Sequence, residues 1–183
     1  MTSDESQVLL ETLAAEREIT RSILSYCRGS DHKDLALMRA AYHDDGFDDH
    51  GPFRGNVDDY IAWAAGNHER FHQMMHHVGP PMIEIRGDVA VAETYCLLFQ
   101  HLKATDAGLP GAKVTMGCRY VDKFEKRSGV WKIAHRVVAY HWLKKEWQLE
   151  EFAPNNIGAG FTTAQRSHDD PVFTLWDLPQ PAR

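Results

Sequence analysis

The hydrophobic pattern in the first part of the chain predicts three helices. Between residues 6 and 29, apolar side chains recur every three or four positions, which is the spacing of one helix face. Gly29 is a typical residue for the end of such a helix. The pattern then predicts a short helix over about residues 33–43, a short strand or hairpin over 47–55, and a third helix over about 57–75 that Asn56 caps.

From Gly79 onward, the pattern becomes the alternation that is typical of strands. Residues 82–103 alternate around a Gly87–Asp88 turn, which predicts a β-hairpin. A loop at 105–112 follows, and two further long strands are predicted over 113–126 and 130–147. Three helices followed by an antiparallel meander predict an α+β fold.

Both faces of the last predicted strand carry apolar side chains. Strict alternation places Trp131, Ile133 and Val137 on one face, and Val138 and Trp142 on the other. An antiparallel strand with one solvated face alternates more cleanly than this. We therefore expect one face to pack on the helices and the other on a partner subunit, in a homodimer or homotrimer.

Length and composition predict a single domain of 183 residues, with a compact core over about 10–147 and an extended tail over 148–183 that packs over it. The net charge of −6 argues against nucleic acid and anionic membrane surfaces as partners. No run of about 18 apolar residues is present, and the acidic start does not resemble a signal peptide. The three cysteines are widely spaced and predict no disulfide framework. We expect a cytoplasmic protein with a small-molecule partner.

The stretch HERFHQMMHHVG, residues 68–79, carries four histidines. On the predicted third helix, His68, His72 and His76 share one face because residues four apart are neighbours. Two of them are candidate metal ligands, with a third ligand from one of three nearby residues, Asp48, Asp49 or His50. The stretch has no His-Glu-x-x-His motif, which weakens the metal interpretation, and we expect His68 and His72 to lie on a solvated helix face.

His76 and His77 stand at the predicted junction of helix and sheet, where pockets often form. A histidine there is a candidate general base, and a carboxylate behind it would fix its tautomer. Asp31, in the stretch RGSDHKD, is a candidate for that carboxylate. The alternative, which the pattern alone favours, is that Asp31 caps the second helix.

Arg136 stands within the last strand among apolar residues, and a buried guanidinium must be paired or face a cavity. Two interpretations stay open: a cation that faces the pocket, or an ion pair with Glu93 or Asp122. Four tyrosines are candidates either for the core or for donating a hydrogen bond to a substrate oxygen: Tyr26, Tyr95, Tyr120 and Tyr140.

The sequence contains no glycine-rich dinucleotide loop, no Walker motif and no nucleophile elbow. The cysteines have no obvious base beside them. The remaining candidate chemistry is proton transfer, for which we expect neither a cofactor nor a metal.

Three stretches carry a resemblance to a known family: SDHKDLALMRAAYHDDGFDDHGPFRG, HHVGPPMIEIRGDVAVAETY and RYVDKFEKRSGVWKIAHRVV. Over about residues 10–147 the chain resembles the SnoaL-like family of the nuclear transport factor 2-like superfamily. The resemblance implies a cone-shaped fold, in which a curved, mixed and mostly antiparallel sheet is wrapped by three N-terminal helices around an interior pocket.

Within that family, the chain looks most like the branch that holds scytalone dehydratase, hexachlorocyclohexane dehydrochlorinase and bile acid 7α-dehydratase. The resemblance implies that Asp31, in DHKD, and His76, in HHVG, form the base, and that Arg136 lies nearby. A slip of one residue would exchange His76 for His77. His50 stands where scytalone dehydratase has a tyrosine, and Gly117 stands near the position of its second histidine, which argues against the scytalone reaction itself.

The function that this resemblance implies is a cofactor-independent lyase that eliminates water, halide or a small carbonyl fragment. The expected substrate-binding residues are Tyr26, His50, His77, Tyr95 and Tyr140. An apolar lining of Trp63, Met74, Met82, Phe99 and Trp142 would suit an aromatic or polycyclic substrate, as in aromatic compound catabolism. The alternatives are an isomerase, an epoxide hydrolase and a non-catalytic small-molecule binder.

Overall fold

The computed structural model describes residues 2–147 and 162–174. Its four helices are α1 (Ser3–His32), α2 (Leu35–Ala40), α3 (Val57–His68) and α4 (Pro171–Thr174). Its seven strands are β1 (Tyr42–Asp49), β2 (Arg54–Asn56), β3 (Phe71–Val78), β4 (Met82–Arg86), β5 (Val89–Leu102), β6 (Ala112–Arg127) and β7 (Val130–Trp147). None of the helices in the described ranges is long and apolar enough to cross a membrane.

Local sequence explains where the first three helices begin. Thr2 and Glu5 form a reciprocal capping box at the start of α1. Asp34 caps α2 by accepting a hydrogen bond from the backbone N–H of Leu37 at 2.9 Å. Asn56 caps α3, as the sequence predicts. The cap of α2 is therefore Asp34, and the interpretation of Asp31 as that cap is wrong.

The seven strands form one mixed sheet in the order β2-β1-β7-β6-β5-β3, with β4 also paired to β5. Strand β1 runs parallel to β7, and every other pairing is antiparallel. Helices cover one face, called here the inner face, and the other is the outer face. The predicted α+β fold, with three helices against a curved mixed sheet, is confirmed.

Several helix boundaries differ from the prediction, and the short helix expected over about 33–43 is α2, Leu35–Ala40, followed directly by β1 from Tyr42. Helix α1 continues past Gly29 to His32, and Lys33 ends it in the left-handed conformation, with φ 59°. Gly29 instead allows close packing, because a Cβ there would lie 2.8 Å from the backbone of Asp34 and Met38. The helix predicted over 57–75 ends at His68, and residues 71–78 form β3.

A shift in register changes which residues of β7 share a face. Ile133 pairs with Phe124 while His135 pairs with Lys123, so that Ala134 is an extra residue between the two pairs. Arg136 therefore lies on the same buried inner face as Ile133, although strict alternation predicts opposite faces.

The described part of the tail, residues 162–174, lies against α1 and β3. The Nε2 of Gln73 donates to the carbonyl oxygen of Ala164 at 3.0 Å, and the ring of Phe173 contacts that of His32. Residues 148–161 and 175–183 lie outside the described residues, so that a single domain covered by the entire tail stays a prediction.

Candidate active site

Asp31 and His76 form a close pair on the inner face. Asp31 lies in the last turn of α1 and His76 lies in β3. The Nδ1 of His76 is 2.6 Å from one carboxylate oxygen of Asp31, and the backbone N–H of His76 donates to the other at 3.0 Å. A carboxylate so placed holds the proton on Nδ1, which leaves Nε2 as an acceptor.

Strand alternation separates His76 from His77. His76 pairs with Leu98 of β5, on the inner face, and its side chain is almost fully buried. His77 pairs with Leu97, on the outer face, and is exposed. The structure therefore places His76, and not His77, against Asp31.

His68 lies beside this pair, which corrects the expectation of a solvated position. It is buried at the end of α3, and its Nε2 is 3.2 Å from the hydroxyl of Ser30. Burial, together with the positive charge of Arg166, lowers the pKa of His68 to about 4. His72 lies exposed in β3. The histidines do not share a helix face, so that the spacing argument for a metal site is wrong.

Arg136 forms a bidentate ion pair with Asp122, one of the two partners that the sequence leaves open. Nε and Nη2 donate to the two carboxylate oxygens at 2.7 and 2.6 Å, and both side chains are 0% exposed. The rings of Tyr26 and Tyr120 each lie 4.2 Å from the guanidinium carbon. Burial raises the pKa of Asp122, and the Arg136 charge opposes that shift.

A second carboxylate–imidazole pair lies in the same interior. The Nδ1 of His50 is 2.9 Å from one oxygen of Asp48, and Tyr42 donates to the other at 2.6 Å. Asp48 is 0% exposed and pairs with Arg136 in the register of β1 and β7. Asp48, Arg136 and Asp122 thus form a row across three neighbouring strands.

Two buried tyrosines lie between these groups. The hydroxyls of Tyr26 and Tyr60 share a short hydrogen bond. The ring of Tyr60 stacks on His50, with centroids 5.0 Å apart, and the ring of Tyr26 lies edge-on to His76. Burial raises the pKa of both tyrosines well above the usual range, so that their hydroxyls stay protonated.

Several predicted site residues lie elsewhere. Tyr95 pairs with Arg119 on the outer face and is 59% exposed. The expectation that Tyr95 and His77 bind the substrate is therefore wrong, because both lie on the outer face. Tyr140 is half exposed on the inner face, where its hydroxyl donates to the carbonyl oxygen of His50 at 3.2 Å. Tyr120 is fully buried beside Arg136.

The predicted apolar lining is also only partly correct. Met74 is buried next to Ser30, and Trp63 packs near Phe53 and Tyr60. Three further residues lie exposed on the outer face, to which strand register assigns them: Met82, Phe99 and Trp142.

The sequence interpretation missed three residues around the pair. Ser30, Tyr60 and Arg166 all contact members of the site. Tyr60 is a helix residue at an apolar position, which gives no sign of its hydroxyl contact, and Arg166 is remote in sequence. Within the described ranges, no group of three or more His, Cys, Asp or Glu side chains is placed to hold a metal ion.

Comparison with solved structures supports the fold. A scytalone dehydratase-like protein from Novosphingobium aromaticivorans superposes with a TM-score of 0.64 at 19% identity, covering 79% of this chain and 95% of that one. A hexachlorocyclohexane dehydrochlorinase from Novosphingobium barchaimii gives 0.68 at 17%, with coverage of 79% and 98%. An NTF2-like protein from N. aromaticivorans gives 0.61 at 19%, with coverage of 76% and 90%.

These TM-scores establish a shared fold. A comparison with curated protein sequences found no match. The fold is that of the NTF2-like proteins, in which helices close one face of a curved sheet. A family model described as the SnoaL-like domain matches residues 11–137, well over half of the sequence. The chain therefore belongs to the SnoaL-like family.

Proposed function

We propose that this protein is a cofactor-independent lyase in which His76 is the general base and Asp31 is its carboxylate partner. The observation that carries the proposal is the contact of 2.6 Å between the two side chains on the helix-covered face of the sheet. Dehydratase-like and dehydrochlorinase structures among the neighbours make elimination the first reaction to test.

In this mechanism, Nε2 of His76 takes a proton from a carbon or hydroxyl of the substrate. The electron pair left on carbon forms a double bond as halide departs, or as hydroxide departs and leaves as water after taking the proton from the His76 imidazolium. Removal of a hydroxyl proton would instead let that oxygen form a carbonyl as the adjacent carbon–carbon bond breaks. The electron pair of that bond would pass to an enolate, whose carbon takes the proton back from the His76 imidazolium. Asp31 stabilises the imidazolium that forms, and a positioned base of this kind contributes about 10²–10⁴-fold.

Arg136 and Tyr26 are the proposed groups for stabilising negative charge. Two arms of the Arg136 guanidinium are held by Asp122, but Nη1 has no hydrogen-bond partner within the described residues. His50 and Tyr140 are proposed to contact the substrate. The aromatic side chains of Trp63, Phe53 and Tyr60 favour a small aromatic or polycyclic substrate.

The test is to incubate the protein with a panel of small aromatic alcohols, aldols and alkyl halides in the presence of EDTA. The reaction products are then identified by mass spectrometry. We expect turnover that resists EDTA and falls by about 10²–10⁴-fold in His76→Ala. His77→Ala is the matched control, because His77 is the next residue but lies on the outer face. Its activity should be unchanged.

Equal losses in both variants would contradict the assignment of His76. No turnover on any class, with ligand binding unchanged in His76→Ala, would instead favour a non-catalytic binder.

One observation favours a second candidate, an epoxide hydrolase. Such an enzyme needs a carboxylate that takes a proton from water and a carboxylic acid that protonates the epoxide oxygen, and the row of Asp48, Arg136 and Asp122 offers both. We rank it second because both carboxylates are already paired, Asp48 with His50 and Tyr42, and Asp122 with Arg136. Adding epoxides to the panel separates the two, since Asp122→Asn would abolish diol formation and His76→Ala would not.

We further propose that the protein acts in the cytoplasm as a homodimer or homotrimer. Support for the assembly comes from exposed apolar side chains on the outer face of β5 and β7, which include Leu97, Phe99 and Val137.

A further inference from the structure

The described tail segment, residues 162–174, makes a set of contacts that the proposed mechanism does not use. Arg166 donates four hydrogen bonds, all of them to backbone carbonyl oxygens. Nε reaches Asp31 at 3.0 Å, Nη2 reaches Ser30 at 3.2 Å, and Nη1 reaches both His68 and Phe71 at 3.3 Å. The guanidinium therefore connects the ends of α1 and α3 with the beginning of β3.

The charge of Arg166 suits this position for a physical reason. The last carbonyls of a helix lack partners within the helix and form the negative end of its dipole. Ser30 and Asp31 lie at that end of α1, and His68 at that end of α3. No carboxylate pairs with Arg166 within the described residues, and burial lowers its pKa. The backbone carbonyls accept all four of its hydrogen bonds, and the nearby charges of Asp31 and Glu69 also favour the charged guanidinium.

Arg166 links the two elements that carry the Asp31–His76 pair. Helix α1 supplies Asp31, strand β3 supplies His76, and the guanidinium binds the backbone of both elements. The two preceding residues repeat this link. The carbonyl oxygen of Ala164 accepts from Gln73 in β3 at 3.0 Å, and that of Gln165 lies 3.1 Å from Nδ1 of His32 in α1.

The segment also has internal contacts that fix its shape. The carboxylate of Asp170 accepts from the backbone N–H of Gln165 at 2.9 Å and of Val172 at 3.1 Å. At its far end, Phe173 lies against α1, with the guanidinium carbon of Arg28 4.8 Å from its ring centroid. The segment lies beyond residues 11–137, which the family model matches.

We propose that residues 162–174 form a strap across α1 and β3, and that Arg166 is a positioning residue that holds Asp31 in register with His76. A separation of α1 from β3 by less than an ångström would lengthen a hydrogen bond of 2.6 Å beyond its optimal range. The role of the strap in catalysis rests on the proposed function. The effect of Arg166 on the contact between Asp31 and His76 can be measured without a substrate.

The test is nuclear magnetic resonance of the His76 ring in the full chain. In the wild type we expect one tautomer, with the proton on Nδ1 slow to exchange. Arg166→Met should speed that exchange by about tenfold or more and introduce the second tautomer, because the pair opens locally. Arg166→Lys, which keeps the charge but not the fork of donors, should give an intermediate effect.

Arg70→Met is the matched control. Arg70 is adjacent to Phe71 and exposed, and its guanidinium donates a hydrogen bond at 3.3 Å to the side chain of Asn67, which lies in α3 and not in α1. Its substitution should leave the His76 signals unchanged. If Arg166→Met does not fold, Arg166→Lys and Phe173→Ala replace it, because each loosens the strap at one point. Both should change the exchange rate of the Nδ1 proton and the tautomer of His76.

Unchanged His76 exchange and tautomer in a folded Arg166 variant would overturn the proposal. This outcome differs from a failure of the proposed function. If the Arg166 variants alter the His76 signals but the wild type turns over no substrate, the strap proposal holds and the lyase proposal fails. Turnover that needs His76 but ignores Arg166 would keep the lyase and reject the strap. With a substrate in hand, Arg166→Met should lower kcat more than it changes KM.

Discussion

The buried environment of a single residue, His68, predicts how the stability of the protein depends on pH. Its pKa is about 4 in the folded protein against 6.5 for an ordinary histidine, because burial and the charge of Arg166 disfavour the imidazolium. The unfolded chain therefore binds more protons between these values, and the free energy of unfolding should fall as the pH drops from 6.5 to 4. The expected loss is on the order of 3 kcal/mol.

The measurement is urea unfolding at pH 7 and pH 4.5 for the wild type and His68→Gln. Glutamine does not titrate, so that the variant should lose less stability over this interval. The difference between the two proteins isolates His68 from the carboxylates that also titrate there. Equal losses would mean that the pKa of His68 is not lowered.

Single residues also show what the sequence could predict of the site. The pairing of Asp31 with His76 follows from the resemblance of DHKD and HHVG to family motifs, although helix capping alone favoured another role for Asp31. The choice between His76 and His77 needed strand register, which shows which residues face inward. The contacts of Arg166 join segments about 135 residues apart, and no local pattern encodes such a contact.

At the scale of elements, two glycines in helices should respond in opposite ways to substitution by alanine. In Gly29→Ala, the new Cβ would lie 2.8 Å from backbone atoms of Asp34 and Met38, which cannot move without displacing α2. We expect a loss of about 1–3 kcal/mol, the usual cost of overpacking. Because Gly29 is two residues before Asp31, ligand binding or turnover should fall as well.

Gly66→Ala is the matched substitution in α3. Gly66 is exposed, and its Cβ would meet nothing within 4 Å. Alanine there should stabilise the protein by about 0.5–1 kcal/mol, because glycine costs more backbone entropy in a helix. Thermal unfolding of both variants checks the pair, and destabilisation by Gly66→Ala would contradict the described end of α3.

The boundary between α3 and β3 shows why the third helix was predicted too long. Residues 57–68 are helical, but residues 71–78 pair with β5 over seven register positions. The stretch FHQMMHHV has no strong turn residue before it and fits either element locally, so that pairing with a neighbouring strand decides its conformation. The hairpin and the two long strands were predicted well, because turns at Gly87 and Gly129 separate them.

At the scale of the whole molecule, the outer face of the sheet carries an apolar patch. Its members are the exposed side chains Val91, Tyr95, Leu97, Phe99, Val137 and Trp142. Strand register brings Leu97, Gly117 and Trp142 side by side near the middle of this patch. An ion pair between Arg119 and Glu93 lies within it, so that the face contains both charges. Large exposed apolar patches mark interaction sites. In a twofold interface, the same patch of both subunits is in contact, so that a patch with one positive and one negative group can pair with its own copy.

Leu97→Lys should therefore prevent assembly of the proposed homodimer or homotrimer, because the lysine charge would be buried in the interface without a partner. Sedimentation over a range of concentrations should give a dimer or trimer for the wild type and a monomer for the variant. Leu109→Lys is the control, because Leu109 is an exposed apolar residue in the loop between β5 and β6. Association also raises the melting temperature with concentration, and that dependence should disappear only in Leu97→Lys. A wild-type protein that stays monomeric at every concentration would contradict the homodimer or homotrimer that the two apolar faces of β7 predict.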